Sequence, residues 1–337
     1  MPGIFVGAPT PVVPPAGVVP WTALQHTWTC DGKSWDLSSL DPYAGVFLMS
    51  GVRGVNEMPP IQHYRTKSAA VPGSRWRGFS TDEREVFWPL LVAHGDGSQA
   101  WLDYDAEFWS TMEPDKTGVW SVTQPGTDTD AGETRSLTLR YESAGDPPDA
   151  PEVFGWADYG VYLHAEQPYW EGQKIRKSWS NSTPTNFYGG GDVAAHGYGP
   201  PFFVSSASSI SRADIMNPGP IASRPVWWVY GPTNNASLGV DGRTIGVPFA
   251  LGAGEWLRID TNPTDQQALF GAGAYQDGGD WVVPPDALAA GVNRTRELAA
   301  TTRFGAVPGR GTSALTIALT GSGAVAMDLV PLYYRDH

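Results

Sequence analysis

Five carboxylates lie close together in the sequence and are the first candidates for catalysis: Asp103, Asp105, Glu107, Glu113 and Asp115. Aromatic residues surround them, as expected of a glycosidase pair. Such a pair needs two carboxyl groups about 5–9.5 Å apart across a cleft, usually supplied by different elements. On one helix, Asp103 and Glu107 fall on the same surface because they are four residues apart. We therefore interpret them as a solvated helix face rather than a hydrolase site.

A calcium loop is the second candidate, suggested by Asp128, Asp130, Gly132 and Glu133. The spacing departs from that of calcium loops. A third acidic position is missing, the glycine is displaced, and no bidentate glutamate follows at position twelve. A turn between two strands is the simpler interpretation.

The remaining chemical motifs also predict no site. Cys30 is the single cysteine, so no disulfide forms within the chain, and the adjacent Asp31 disfavours a thiolate. The glycine triplet at 189–191 precedes Asp192 rather than the lysine of a phosphate loop. The six histidines never fall at metal-ligand spacing; they are His26, His63, His94, His164, His196 and His337. We therefore predict no catalytic, cofactor-binding or metal-binding residue, and no enzyme.

The charge balance limits the partners. The net charge is −13 and the pI is about 4.8, and no cluster of Lys or Arg counters this in the sequence, so we expect no specific nucleic-acid binding. The first positive charge is Lys33, which argues against a signal peptide. No apolar run approaches the roughly 20 residues that span a bilayer, so we expect no membrane insertion. We expect the protein to be made in a cytoplasm.

The elements that would position these residues are mainly β. Forty Gly, thirty Pro and fifteen Trp, spread among short Val-, Thr- and Tyr-rich runs, are typical of many strands and turns. Residues 46–49 and 86–92 are predicted strands because they are continuous apolar runs, and Pro89 predicts an edge or a bulge in the second. Residues 136–142 and 159–165 are predicted strands because apolar and polar side chains alternate, with Tyr159, Val161 and Leu163 on one face of the latter. One helix is predicted from Ser98, which would cap it, to about Met112, before Pro114.

Composition divides the chain into a Pro-rich arm (1–20), a first domain (21–178), a Ser- and Gly-rich linker (179–201) and a second domain (202–337). Regularly spaced short strands predict an antiparallel sandwich for the second domain. Trp227 and Trp228 would point to opposite faces of one strand. We interpret this pair as a surface buried by neighbouring subunits, although sugar-binding platforms also use aromatic residues.

Ordered motifs over about 41–334 carry a resemblance to a known family. In the first half they are Val52-Arg53-Gly54-Val55 and the segments 75–77, 84–91, 120–122, 135–141 and 159–170. The last segment closes with Glu166-Gln167-Pro168-Tyr169-Trp170, and the match extends to Gly172. In the second half they are the segments 215–219, 224–232 and 254–261, then Phe304, Pro308-Gly309 and the two final predicted strands, 314–320 and 324–333. Together they resemble the distal tail proteins of siphophages and the minor tail proteins of actinobacteriophages.

The resemblance implies a mainly β fold, with an N-terminal belt domain of sheets plus one helix and a C-terminal galectin-like β-sandwich. It implies a homohexameric ring in the virion, at the phage tail tip or baseplate, assembled in the bacterial host cytoplasm. The partners implied are the tail tube protein, the tail hub or tail-associated protein, and the tape measure protein. An acidic lumen would let DNA pass without trapping it. None of the family's residues is catalytic.

Two alternatives remain open. The second domain could be a carbohydrate-binding module of a phage adsorption device, with host-surface carbohydrate as its ligand. The His-Asn-Arg, Trp and Glu constellation of galectins is missing from the sequence. A tail-bound glycoside hydrolase would need a cleft with two facing carboxylates. Oligomeric state separates the module from the ring.

Overall fold

The computed structural model describes residues 23–39, 41, 43–126, 132–145, 150–180, 213–277 and 280–337. The first compact unit extends to Gln167 and the second begins at Pro168. The exceptions are Glu57–Pro59, which belong to the second unit, and His337, which belongs to the first. The predicted arm 1–20 and most of the predicted linker lie outside the described residues. A strand at Ile175–Ser180 already belongs to the second unit, ahead of most of that linker.

The first unit contains one antiparallel sheet, one separate hairpin and two helices. The strands are β1 (Gln25–Cys30), β2 (Lys33–Asp36), β3 (Ala44–Leu48), β4 (Ile61–Ser68), β5 (Val71–Thr81), β6 (Arg84–His94), β7 (Gly118–Gln124), β8 (Glu133–Ala144) and β9 (Trp156–Ala165), and the helices are α1 (Ser98–Trp109) and α2 (Pro151–Phe154). The sheet order is β2-β1-β7-β8-β9-β6-β3, and β4 pairs with β5 in a two-stranded sheet.

The seven-stranded sheet curls until its two ends meet. The Leu48 N–H donates to the Leu37 carbonyl, 2.9 Å away, linking β3 to the residue that follows β2. Alternate side chains point inward, and the indoles of Trp28, Trp88 and Trp120 fill the interior. Trp88 lies edge-on to the other two, at 5.3 and 5.0 Å between ring centroids. The strands predicted from alternation are therefore confirmed, and they enclose an aromatic core.

Two local predictions were wrong. Ser98 does not cap α1: the N-cap is Gly97 at φ 101, with no side-chain hydrogen bond. Pro89 lies neither on an edge strand nor at a bulge, since β6 pairs continuously with β9 and also with β3. The Pro89 carbonyl accepts from the N–H of Met49, one residue beyond β3. The hydrogen-bonded ladder between β3 and β6 ends next to Pro89, so the N–H that proline lacks is not needed for that ladder.

Two segments that carry the family resemblance meet beside β6. Arg53 pairs with Phe87 in an isolated bridge, and the buried guanidinium of Arg84 donates to the Gly54 carbonyl at 2.8 Å. Gly54 has φ +85, and a Cβ there would lie 2.6 Å from the Glu85 carbonyl oxygen. This position requires glycine both for its backbone conformation and for the close approach of the two segments.

The second unit is a sandwich of two antiparallel sheets, ordered β11-β22-β13-β16-β17-β20 and β12-β21-β14-β15. Its strands are β10 (Trp170–Glu171), β11 (Ile175–Ser180), β12 (Asp214–Asn217), β13 (Val226–Tyr230), β14 (Thr233–Val240), β15 (Arg243–Val247), β16 (Glu255–Asp260), β17 (Gln267–Ala272), β18 (Tyr275–Asp277), β19 (Asp280–Val282), β20 (Val292–Asn293), β21 (Gly311–Gly321), β22 (Ala324–Leu329) and β23 (Leu332–Tyr333), and its helix is α3 (Pro285–Ala289). Between the sheets lies an aliphatic core that includes Leu238, Ile259 and Met327. No helix among the described residues is long and apolar enough to span a membrane.

Both indoles of the Trp227-Trp228 pair are buried within the second unit. Trp227 lies in the core between the sheets, at 1% exposure. Trp228 points to the opposite face of β13 and is 9% exposed. There it packs with Tyr230 and Trp256 in a second cluster, which Trp281 partly covers. The interpretation that neighbouring subunits must bury this pair was therefore wrong, because the unit supplies its own covering layer.

Candidate functional site: an apolar sheet face and a basic hairpin

The α1 carboxylates behave as a solvated helix face. Asp103 and Glu107 are exposed. Glu107 forms an ion pair with Lys33 at 3.2 Å, and Asp103 accepts a hydrogen bond from Gln99 at 2.9 Å. Glu113 pairs with Lys116 at 2.7 Å, so its charge is also matched locally. These contacts support the interpretation of the cluster as surface.

Asp105 is the carboxylate of this group that turns inward. Its Oδ1 accepts a hydrogen bond from the Tyr159 hydroxyl at 2.9 Å. Burial raises the pKa of Asp105 above its usual value, although the hydrogen bonds from Tyr159 and Trp109 lower it. Burial, and then the hydrogen bond to Asp105, also raise the pKa of the Tyr159 hydroxyl. The pair joins α1 to the sheet, which is a structural role.

The other sequence candidates remain scattered. Burial and the neighbouring Asp31 raise the pKa of the Cys30 thiol. The nearby cation Lys116 lowers this pKa in part, and the sequence alone did not indicate that Lys116 lies close to Cys30. Glu133 pairs with Arg135 at 2.9 Å. His164 lies 3.1 Å from Glu83. Among the described residues, no group of three or more His, Cys, Asp or Glu could hold a metal ion. Asp128, Asp130, the 189–191 triplet and His196 lie outside them.

The feature best suited to function is the outward face of β3, β6 and β9. The side chains there are apolar although the curled sheet has its core on the other side. We call this surface the outer platform, and it consists of Phe47, Phe87, Pro89, Leu91, Trp156 and Tyr162. Trp156 and Tyr162 are 44% and 41% exposed. A strand that is apolar on both faces is expected where a second partner covers it.

Two glycines flatten the outer platform. Gly45 lies beneath the ring of Phe47, and Gly160 beneath that of Phe87. An added Cβ would come 2.5 Å from Phe47 Cζ at the first position and 3.1 Å from Phe87 Cε2 at the second. The Phe87 ring also contacts Tyr162, with centroids 4.9 Å apart. The aromatic rings can therefore lie along the sheet and present a broad, smooth surface.

Two acidic side chains border the outer platform. Glu85 on β6 and Asp158 on β9 are exposed on its face, and neither forms an ion pair with a described residue. The Arg53 guanidinium also lies on this face, 4.8 Å from the Phe87 ring centroid. The rim is therefore available for basic groups on a partner.

The β4–β5 hairpin is the second unusual surface. It contains four basic residues and no acidic one, although the chain has 35 acidic residues and 22 basic ones. On one face, Trp76 stacks on Phe79 at 6.4 Å and donates to His63 Nδ1 at 3.3 Å. Trp76 and Phe79 are 56% and 44% exposed. Arg65 pairs with Trp76 across the hairpin, so aromatic and basic groups share this face.

Neither surface was identified from the sequence. The signal for the hairpin was present, and the interpretation that no cluster of Lys or Arg counters the negative charge overlooked it: positions 61–81 contain four basic residues and no acidic one in an otherwise acidic chain. The signal for the outer platform was ambiguous, since the apolar run at 86–92 fits a strand that is buried on both faces equally well.

The carboxylate Asp328 shows that polar groups in the second unit are also structural. It is 7% exposed, and its Oδ2 accepts from Trp228 Nε1 at 3.0 Å and lies 3.5 Å from Arg176 Nη1. These contacts link β11, β13 and β22, which are neighbours in one sheet. The group therefore cross-links three strands of that sheet.

These features define a mainly β protein of two units that offers surfaces for association. The sequence matches no protein-family model and no curated protein. Among solved structures, the fold is similar to that of the phage SPP1 Dit protein, described as a paradigm of the hub adsorption apparatus in phages that infect Gram-positive bacteria. The TM-score is 0.55 at 14% identity, over 90% of this chain and 98% of that one.

Two structures of the phage p2 baseplate in its activated conformation give a similar result. A chain of the form with Ca aligns with a TM-score of 0.52 at 11% identity, over 92% of this chain and 98% of that one. The form with Sr gives 0.51 at the same identity and coverage. The mainly β class is confirmed, and so, at the level of the fold, is the resemblance to distal tail proteins.

Proposed function

We propose that this chain is a non-enzymatic structural protein of a bacteriophage tail tip and that its first unit assembles into a ring of six copies. The observation that carries the proposal is the outer platform, an apolar face that a solitary subunit would leave in water. Burial of apolar area is the main driving force of protein association. The shared fold with phage hub and baseplate proteins supports the same assignment.

In this role the ring joins the tail tube protein to the tail hub or tail-associated protein, in the virion of a siphophage. Tape measure protein and DNA pass through its lumen, and assembly takes place in the cytoplasm of the host bacterium. The net charge of −13 suits a lumen that does not retain DNA. We propose that the second unit is a galectin-like sandwich.

Copy number tests the proposal directly. We expect six copies at the tail tip in a reconstruction of the virion, and species of six times 36.2 kDa in native mass spectrometry of the purified protein. Three copies or fewer at the tip would contradict a hexameric ring.

The carbohydrate-binding alternative gains no support from the aromatic residues that suggested it. Trp228 and Trp256 are 9% and 0% exposed, so neither indole presents a platform for a sugar ring. We therefore propose no sugar specificity for the second unit.

A further inference from the structure

We infer that the β4–β5 hairpin of one copy docks on the outer platform of the next copy, with its basic side chains beside Glu85 and Asp158. The inference rests on the proposed ring and names the two surfaces that build it. The docking face of the hairpin carries Trp76, Phe79 and Arg65, with Lys67 two residues further along the same strand.

The hairpin needs a partner for physical reasons. Among the described residues it forms a sheet of its own, and neither strand pairs with the main sheet. An isolated two-stranded hairpin is at best marginally stable in water, and packing on an apolar surface stabilises it. Its exposed indole and phenyl rings supply the apolar area for such packing.

Charge favours another copy of this chain as the partner. Arg65 and Lys67 form no ion pair with a described residue, as is also true of Glu85 and Asp158. Complementary charges at the edge of an apolar contact fix its register and exclude wrong partners. Arg53 at the outer platform already lies over Phe87, which leaves the two carboxylates as the unpaired charges of that face.

The arrangement also generates a ring. The hairpin and the outer platform are different surfaces of the same unit, so their contact is head-to-tail. Such a contact, repeated from copy to copy, closes a ring when the rotation between neighbouring copies is a whole-number fraction of a full turn. A contact of the outer platform with itself would instead stop at a dimer.

Reciprocal charge reversal tests the inference. Arg65→Glu with Lys67→Glu should raise the protein concentration at half-assembly by about tenfold or more, and Glu85→Lys with Asp158→Lys should do the same. Combining all four changes should bring it back to within about threefold of wild type, because each interface then carries the reversed pair. Sedimentation velocity and native mass spectrometry measure the assembly.

A matched control reverses two exposed arginines of the second unit. Arg243→Glu with Arg303→Glu changes the net charge by the same amount as the hairpin pair and should leave assembly unchanged. Unfolding of each variant in urea checks that the first unit is intact. We expect this because the hairpin pairs with no other strand of the described structure and because Glu85 and Asp158 are exposed. A further variant, Trp76→Ala with Phe79→Ala, should weaken assembly without a change of charge.

Three results would overturn the inference. In the first, wild type and hairpin variants assemble equally, so the ring stands but uses other surfaces. In the second, reversal of hairpin charge abolishes binding to a labelled DNA duplex while assembly persists, which assigns the hairpin to nucleic acid. In the third, purified wild type stays monomeric at every concentration; the copy number in virions then decides the proposed function separately.

Discussion

Asp103 and Glu107 lie on the exposed side of α1, where we predict that they have no catalytic role. Asp103→Asn combined with Glu107→Gln should leave phage adsorption and infectivity unchanged, because both groups are exposed and Glu107 only pairs with the surface residue Lys33. Surface ion pairs contribute about 0–1 kcal/mol, so stability should also change little. The measurement is adsorption of phage carrying the double variant, with tail assembly checked by electron microscopy. A large loss of infectivity by well-formed tails would restore the hydrolase hypothesis.

Asp105 should respond to pH in the opposite sense to most carboxylates. Its folded-state pKa is raised above the usual 3.8, so the folded protein holds this proton more tightly than the unfolded chain does. The stability linked to that proton is present below 3.8 and is lost as the pH rises through the raised value. Asp105→Asn should therefore lose less stability than wild type as the pH rises from about 3.8 to 7.

The size of this effect is limited. Asp105 is only half-buried, and solvent screening keeps the difference at about 1 kcal/mol or less. Urea unfolding of wild type and Asp105→Asn across the pH series measures it. Asp103→Asn is the control, since that carboxylate is exposed. Equal pH slopes for wild type and Asp105→Asn would contradict the assigned cause.

At the scale of elements, the alternation of apolar and polar residues predicted the strands that have one solvent-exposed face and one buried face. The strand at Trp156–Ala165 was predicted from Tyr159, Val161 and Leu163, and all three are buried. The β4–β5 hairpin was missed because both of its faces are polar or mixed, so no alternation marks it. Pro89 was misplaced because sequence cannot show where the neighbouring strand ends.

The covering layer of the second unit gives an element-scale prediction. Trp281 on the β18–β19 hairpin stacks on Tyr230, with centroids 4.9 Å and planes 10° apart. Trp281→Ala should lower the free energy of unfolding by about 1–3 kcal/mol, less than for a fully buried indole. Tyr275→Ala on the same hairpin is the control and should change it by about 0.5 kcal/mol or less, since Tyr275 is 51% exposed. Tryptophan fluorescence in urea measures both variants, and equal effects would show that the layer does not depend on this stack.

At the scale of the whole molecule, composition predicts two domains with the second starting at 202, whereas the second compact unit of the structure also includes the strand Ile175–Ser180. Ile175–Ser180 pairs with Ala324–Leu329 along six residues, and Trp179 packs against the sandwich core. A polar, Gly-rich stretch indicates a segment that does not form a strand. Composition does not show whether the strand before that stretch belongs to the first or the second unit, because this depends on its pairing with β22, about 150 residues further along the chain.

Two fragments test where the second unit begins. The fragment 168–337 should fold cooperatively as a stable monomer, because it keeps β11 in its sheet. The fragment 202–337 lacks that strand and should be less stable by about 2 kcal/mol or more, since buried apolar side chains lose their cover. Urea unfolding followed by circular dichroism, with sedimentation for the monomer, measures both. Equal stability would show that β11 is dispensable and would favour the boundary predicted from composition.

The three indoles inside the first unit also have an optical consequence. Trp88 is held edge to face against both Trp28 and Trp120, with ring centroids 5.3 and 5.0 Å apart. Transition dipoles fixed so closely at these angles couple, so the near-ultraviolet circular dichroism should show a couplet that disappears when the packing loosens. The circular dichroism of these three indoles thus reports on the packing of the first unit. We expect the fluorescence emission of the exposed Trp156 and Trp76 to report separately on the proposed docking at the outer platform, without an added dye.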